Sequence, residues 1–295
     1  MHQPLSRRKR LFYLIVFILL FVILIPVVAF YSLGYRFTKN WQIERTGGIY
    51  VYSTDQGASI YLDGTLNRQT NFFVRGVFIS DLTPRTYQIE VTRASSTSWK
   101  KTVTVLSEQV TEAYPFLLPL DPGLATVTPT VVDSSGATVT NSQYTGLVAL
   151  FKLPNNSPVK TLATSTAATT SPEALAIPRQ NIKIWKQNNT IFAEWMGQSQ
   201  DSPFYFCKNV GMASTTCEST ITVYQAPYIG TVDFYPGRND VVLFSTKDGI
   251  YATELDNRPP QNIDPLILGS NIDFREVSGD QLFIKNSAGI YQVNL

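Results

Sequence analysis

The chain has 295 residues, of which 24 are Lys or Arg and 22 are Asp or Glu, so its formal net charge is only +2. Four basic residues lie at 7–10, so the rest carries 20 basic against 22 acidic residues, a net charge of −2. A surface so close to neutral has no electrostatic attraction for nucleic acid, and we expect no nucleic-acid partner.

The single histidine, His2, lies in the N-terminal tail. A Ser-His-Asp or Cys-His catalytic site therefore cannot form in the remainder of the chain, and zinc sites that require imidazole are excluded as well. Catalysis by carboxylates alone, as in glycoside hydrolysis, passes this filter. We expect no cofactor, no metal site and no catalytic residues.

An apolar segment without charged or amide side chains runs from Leu11 to Leu33 and directly follows Arg7, Arg8, Lys9 and Arg10. As a helix, 23 residues extend about 34 Å, which is enough to cross a bilayer core of about 30 Å. The basic cluster favours a cytoplasmic N-terminus. The sequence predicts a cytoplasmic tail at 1–10, a transmembrane helix at 11–34 and a single-pass cell-membrane protein whose bulk is extracytoplasmic. A cleaved signal peptide ending near Ala29 is the alternative.

Abundant Thr, Ser, Tyr, Val and Ile predict a mainly β fold beyond the helix. Between 46 and 120, short alternating runs are separated by turns, among them Asp63-Gly64. Six or so strands in this range are enough for a small β-sandwich.

These motifs resemble the PEGA domain. The Gly57-Ala58 turn, the segment Tyr61 to Gly64, and Leu82-Thr83-Pro84 followed by Tyr87 occur in that family's order, although Arg85 stands where glycine is usual and the segment 67–75 is an insertion. The resemblance covers about a quarter of the chain. It implies an extracytoplasmic β-sandwich of the bacterial envelope that binds or scaffolds, and it implies no catalytic residues.

The stretch 121–180 is rich in Thr, Ser, Ala and Pro, a composition typical of a linker. One apolar island, Tyr144–Phe151, interrupts it and is interpreted as a strand that belongs to either neighbour.

From 181 to 295 the sequence repeats with a period of 40, pairing Asp233 with Asp273, Asp240 with Asp280 and Tyr251 with Tyr291. A less exact copy begins at Ile182. Such a period predicts blades like those of a β-propeller. Three units do not close a ring, so the array is open, incomplete, supplied with a fourth unit by the island, or completed by a homo-oligomer that pairs open strand edges. The segment 245–249 is either a loose Asp-box or an ordinary turn.

Two cysteines, Cys207 and Cys217, bracket a loop and predict a disulfide that pins a hairpin in an oxidising compartment. Four aromatic side chains, Trp185, Trp195, Tyr205 and Tyr224, are candidate ligand contacts, although such residues more often belong to cores or cross-strand pairs.

The function expected from these features is that of a membrane-anchored binding or scaffold protein that contacts cell-wall glycan or a surface protein. One alternative is a carboxylate-based glycan-acting enzyme, for which Asp233, Asp240, Asp273 and Asp280 are the obvious groups. Their repetition at equivalent positions favours a structural role. The other alternative is a sensor or assembly component that acts through a partner membrane protein.

Overall fold

The computed structural model describes residues 7–37, 42–71, 73–153, 177–209, 215–277 and 280–295. The fold is mainly β with one N-terminal apolar helix, as predicted. The helices are α1 (Arg7–Ser32) and α2 (Ser142–Leu150). The strands that precede α2 are β1 (Tyr35–Phe37), β2 (Ile43–Arg45), β3 (Gly47–Tyr52), β4 (Ser59–Leu62), β5 (Thr65–Gln69), β6 (Gly76–Leu82), β7 (Arg85–Thr92), β8 (Trp99–Val105), β9 (Val110–Ala113), β10 (Gly123–Thr126), β11 (Thr130–Val132) and β12 (Thr138–Thr140). The strands that follow it are β13 (Ile177–Arg179), β14 (Ile182–Gln187), β15 (Thr190–Trp195), β16 (Cys207–Asn209), β17 (Thr215–Cys217), β18 (Thr220–Gln225), β19 (Val232–Phe234), β20 (Val241–Ser245), β21 (Gly249–Glu254), β22 (Ile263–Leu268), β23 (Asp273–Val277), β24 (Gln281–Lys285) and β25 (Ile290–Asn294).

The chain divides into two compact units that are each built from separate segments. The first unit contains residues 1–52, 76–87 and 103–114, and the second contains residues 53–75, 88–102 and 115–295. Each unit is described by itself below.

Helix α1 is the one helix, among the described residues, that is long and apolar enough to cross a membrane. It begins at Arg7, before the predicted start at 11, so that the four basic residues form its first turn. None of its side chains is buried against the protein. After this basic first turn the helix is apolar on all sides and exposed, which is the composition expected in lipid.

The first unit continues from α1 into a three-stranded sheet of order β6-β3-β9. Strand β3 pairs antiparallel with β6 and parallel with β9. One face of this sheet buries Ile49, Val51, Val77, Ile79 and Ala113. The alternating sequence of β3 and β6 accounts for this one-sided burial.

The second unit contains most of a four-stranded sheet of order β5-β4-β7-β8. The predicted turn at Asp63-Gly64 is confirmed: it joins β4 to β5, and both residues have positive φ, 48° and 77°. The Asp63 carboxylate also accepts a hydrogen bond of 2.9 Å from the Gln88 backbone amide, which ties the turn to β7. Strand β5 overlaps the start of the segment 67–75, which the sequence predicted to be an insertion.

Residues 121–153 are structured, and the interpretation of Tyr144–Phe151 as a strand is wrong. Helix α2 occupies this segment because the Asn141 side chain caps its N-terminus, accepting hydrogen bonds from two backbone amides. Its Leu147 packs into a small core with Phe283 and Ile290. Upstream, β10 pairs with β25, and β11 and β12 form a hairpin. The Thr/Ser-rich part of the predicted linker, 154–176, lies outside the described residues.

The repeat region forms three four-stranded antiparallel sheets, with orders β13-β14-β15-β18, β19-β20-β21-β22 and β10-β25-β24-β23. The 40-residue period is visible in the geometry: Asp233 and Asp273 each accept a hydrogen bond from the backbone amide of the following residue, at 2.7 and 2.9 Å. The outer strand of the last sheet, β10, comes from upstream of the repeats. The sequence pattern did not indicate this pairing.

Candidate functional site

The repeat region contains an aromatic cavity of about 370 Å³. It lies where β18 and the loop after it face β20, β21 and β22 of the next sheet. Its wall consists of Tyr224, Ala226, Pro227, Tyr228, Phe244, Thr246, Lys247, Asp248, Tyr251 and Ile263. A volume of this size suits one or two sugar rings or a short side chain, at the lower end of ordinary ligand pockets.

Three rings form a continuous row in the wall. Phe244 is buried at the centre, with the Tyr224 ring centroid 4.9 Å away on one side and the Tyr251 ring, stacked at 5.9 Å, on the other. The row arises because Phe244 of β20 is the register partner of Tyr251 of β21, while Tyr224 comes from the neighbouring sheet. Tyr224 and Tyr251 stay half-buried, and Tyr228 is exposed at the rim. The cavity therefore offers an apolar, rigid surface that remains open to a ligand.

The polar side of the cavity is the tight turn between β20 and β21, formed by the segment 245–249. Both carboxylate oxygens of Asp248 accept hydrogen bonds, one from the Thr246 hydroxyl at 2.6 Å and one from the Tyr251 hydroxyl at 3.0 Å. These hydrogen bonds lower the pKa of Asp248. Partial burial is the main cause that raises the pKa of Tyr251, and its hydrogen bond to Asp248 adds to that shift. The carboxylate thus stays ionised and fixed at the rim.

Lys247 extends over the face of Tyr228, with its Nζ 5.8 Å from the ring centroid. In the part of the chain that the structure describes, no carboxylate pairs with this ammonium group. Lys247 therefore keeps its hydrogen-bond donors available beside the ring.

Of the four aromatic residues predicted as ligand contacts, only Tyr224 lies in the cavity. Trp185 stacks on Phe192 at 5.5 Å, Trp195 packs against the core between the first two sheets of the repeat region, and Tyr205 is buried within that core. The sequence does not predict that Tyr228, Phe244 and Tyr251 join Tyr224 in the cavity, because their convergence depends on the packing of two sheets. The period-40 pairing of Tyr251 with Tyr291 was the available signal.

The predicted disulfide between Cys207 and Cys217 is confirmed. The two residues are direct partners in the antiparallel pair β16–β17, so the bond closes a hairpin as expected. The loop residues 210–214 lie outside the described residues.

The repeated carboxylates lie along the first strands of the sheets and in the turns after them. Asp240 pairs with Arg238, and Asp273 pairs with Arg275. Burial, reinforced by the neighbouring Glu276, raises the pKa of Asp233 to about 7. Among the described residues, no group of three or more His, Cys, Asp or Glu side chains could hold a metal ion.

The second unit also contains a buried ionic junction that the sequence analysis did not identify. Lys101 of β8 is almost fully buried and pairs with the buried Glu254 of β21. The Lys101 ammonium also donates to the backbone carbonyls of Asp256 and Arg258, at 2.9 and 2.8 Å, and the Trp99 indole donates to Glu254 at 2.7 Å. Burial raises the pKa of Glu254, and Lys101 opposes that shift. Every polar atom named in the junction is hydrogen-bonded.

Backbone bonds reinforce this junction. Asn262 accepts a hydrogen bond from the Lys100 amide at 3.0 Å and donates one to the Lys100 carbonyl at 2.9 Å, and the Thr102 amide donates to the Pro259 carbonyl at 2.7 Å. The segment between β21 and β22 is thereby hydrogen-bonded to β8.

Comparison of the sequence with models of known protein families gives no match, and no curated protein sequence matches it.

Proposed function

We propose that this protein is a single-pass, membrane-anchored binding or scaffold protein of the bacterial cell envelope, whose aromatic cavity binds glycan. In this proposal α1 crosses the membrane with the basic residues 7–10 on the cytoplasmic side, and the β-rich remainder is extracytoplasmic. The observation that carries the proposal is the row of Tyr224, Phe244 and Tyr251 in an open cavity with a polar rim.

Three features support the anchored, extracytoplasmic arrangement. None of the side chains of α1 that the structure describes is buried, the basic cluster at its start favours the cytoplasmic side, and the Cys207–Cys217 disulfide is typical of an oxidising compartment. We assign the range 46–120 to a PEGA-like β-sandwich and the three repeat sheets to a partial β-propeller. Both are scaffolds that present loops and concave faces for binding.

The cavity favours a sugar over a purely apolar ligand. The flat faces of pyranose rings carry C–H groups that stack on aromatic rings, and their hydroxyl groups need both donors and acceptors. The rim supplies the Lys247 ammonium as a donor and the Asp248 carboxylate as an acceptor. A rigid aromatic platform with a few fixed polar groups is the usual composition of a specific small-ligand site.

A binding experiment with the full-length protein tests this proposal. The detergent-solubilised chain is incubated with isolated cell-wall glycan, retention is measured by sedimentation, and the mass of the free protein is determined by light scattering. Tyr228→Ala and Lys247→Ala alter the rim without entering the core. We expect each to lower retention about fivefold, as loss of about 1 kcal/mol of stacking or charge-assisted hydrogen bonding would.

Trp185→Ala is the matched control, because Trp185 is an aromatic strand residue outside the cavity. Equal retention by all variants would show that glycan binds elsewhere and overturn the cavity assignment. No retention by the wild type would overturn glycan binding altogether. A dimer or larger species in that case would support a scaffold that assembles through open strand edges.

The two alternative functions have less support. An enzyme would require two facing carboxyl groups, whereas Asp240 and Asp273 are engaged by arginine side chains of their own sheets. A sensor or assembly role would require a partner membrane protein.

A further inference from the structure

The end of α1 is fastened to the first unit without a free tether. After Gly34, the hairpin β1–β2 returns the chain to its starting point, and Thr46 donates two hydrogen bonds to the Gly34 carbonyl, from its amide and its hydroxyl, both at 3.0 Å. Strand β3 begins at the next residue, Gly47. The sheet of the first unit therefore begins at the point where the apolar helix ends.

The segment before β9 joins the same point. The Glu108 amide donates to the Thr46 carbonyl at 3.0 Å, and Val110 is the register partner of Gly48. Three parts of the first unit, the helix end, the start of β3 and the start of β9, are thus connected by consecutive hydrogen bonds.

Two arginines of the hairpin β1–β2 bridge the helix end to this sheet. Arg36 donates to the Tyr31 carbonyl at 2.8 Å, covers the Tyr31 ring at 3.7 Å and pairs with Asp81 of β6 at 2.5 Å. Arg45 donates to the Tyr35 hydroxyl at 2.7 Å and pairs with Glu108. Each ion pair ties the hairpin to the sheet of the first unit.

Three large apolar side chains are exposed at this end of the unit: Leu33 at 64%, and Ile43 and Val110 at 54% each. We call them the helix-end surface. Beside them lie Tyr31 and Tyr35, each in contact with an arginine. Tyrosine, arginine and exposed apolar side chains together are the composition of a membrane interface.

We propose that the helix-end surface docks on lipid headgroups, so that the first unit is held at the bilayer surface in a fixed pose. This inference rests on the proposed membrane anchoring by α1. The headgroup layer is roughly 5–8 Å thick on each side of the hydrocarbon core. Thr46 is hydrogen-bonded to Gly34, which directly follows the apolar segment that crosses the hydrocarbon core. The surface therefore lies within the depth of that layer, and the occupant that the geometry selects is lipid.

Fluorescence quenching in the full-length protein tests the docking. The chain, with its native disulfide intact, is reconstituted in nanodiscs of phosphatidylcholine and phosphatidylglycerol. Bimane is attached to single cysteines at Val22→Cys in the middle of α1, at Ile43→Cys and Val110→Cys on the helix-end surface, and at Tyr52→Cys, an exposed position of the first unit at the end of β3 away from α1. Lipids with nitroxide in the acyl chain or at the headgroup serve as quenchers.

We expect acyl nitroxide to quench position 22, and headgroup nitroxide to quench positions 43 and 110 at least twofold more than position 52. The pair Asp81→Asn and Glu108→Gln removes both ion pairs to the hairpin and should reduce quenching at 110. Glu90→Gln is the matched control, because it breaks the exposed ion pair with Lys100 in the second unit.

The failures are distinguishable. Quenching at 22 with equal, low quenching at 43, 110 and 52 would overturn the docking and leave the anchor intact. Lack of quenching at 22 would show that α1 is not inserted, and both proposals would fall. Docking that persists unchanged in the Asp81→Asn, Glu108→Gln variant would show that the arginine bridges do not hold the pose.

Discussion

The ionic junction around Lys101 and the rim of the aromatic cavity contain similar groups in opposite environments. At the junction, the lysine and the glutamate are buried, and every donor and acceptor has a partner. At the cavity, the Asp248 carboxylate is hydrogen-bonded but exposed, and Lys247 has no carboxylate partner among the described residues. The first arrangement holds parts of the chain together, whereas the second leaves capacity for a ligand.

This difference shows why burial and completeness of hydrogen bonding, and not the presence of charge, separate a structural polar cluster from a binding site. A buried charge is tolerated only when it is paired and hydrogen-bonded. An exposed group with unused donors carries no such requirement and can be altered with little effect on folding.

The largest effect is expected for Lys101→Met. The substitution leaves the Glu254 carboxylate buried without a counter-charge and should lower the free energy of unfolding by about 3–5 kcal/mol. Chemical denaturation followed by near-ultraviolet circular dichroism measures it. Lys100→Met is the control, because Lys100 is exposed and its pair with Glu90 should contribute about 1 kcal/mol or less. Equal losses for the two variants would remove the contrast, and the double variant with Glu254→Gln should recover part of the loss.

An intermediate effect is expected for Asp233→Asn. Because the folded-state pKa of Asp233 is about 7 and the ordinary value is 3.8, the folded protein retains a proton that the unfolded chain releases between these values. The wild type therefore loses stability as the pH rises from about 4 to 7 and no further above that range. The variant should be the more stable protein at pH 8. Between pH 4 and pH 8, its free energy of unfolding should rise relative to that of the wild type by roughly 1–4 kcal/mol.

Thermal unfolding at a series of pH values checks this prediction. Asp248→Asn provides the opposite sign, because a lowered pKa contributes stability that is lost as the pH falls through the folded-state value. An Asp233→Asn difference that does not depend on pH would contradict the assignment.

The smallest effect is expected for Tyr251→Phe at the cavity rim. It removes one hydrogen bond to an exposed carboxylate, so unfolding should be unchanged while the pKa of Asp248 rises toward its ordinary value. Titration of the carboxyl carbon by nuclear magnetic resonance measures the shift. A large loss of stability would mean that the rim is structural, as the junction is.

Features set by local sequence were predictable. The apolar run after Arg10 specifies α1, Asp63-Gly64 specifies a hairpin turn, and a ten-residue spacing brings Cys207 and Cys217 together. Lys101 also left a signal: alternation along β8 places it on the same face as Trp99 and Val103, both buried, and a charge on such a face requires a partner.

Features set by packing at a distance were not predictable. The apolar run 144–151 fits a short helix or a strand equally, and the Asn141 cap together with one-sided burial of Leu147 decides for the helix. The partner of Lys101 and the convergence of Tyr224 with Phe244 depend on which elements meet, and a period-40 repeat does not encode that.

The pairing of β10 with β25 makes the two borders of the repeat array interdependent. Gly123 to Thr126 pair with Tyr291 to Asn294, so a fragment that starts at Ile177 lacks the outer strand of its final sheet and exposes the edge of β25. A stable fragment must start before Gly123. Conversely, a protease that cuts the intact chain within 154–176 would yield two polypeptides that remain associated through this strand pair and through the Lys101–Glu254 junction, so that only denaturing conditions would separate them.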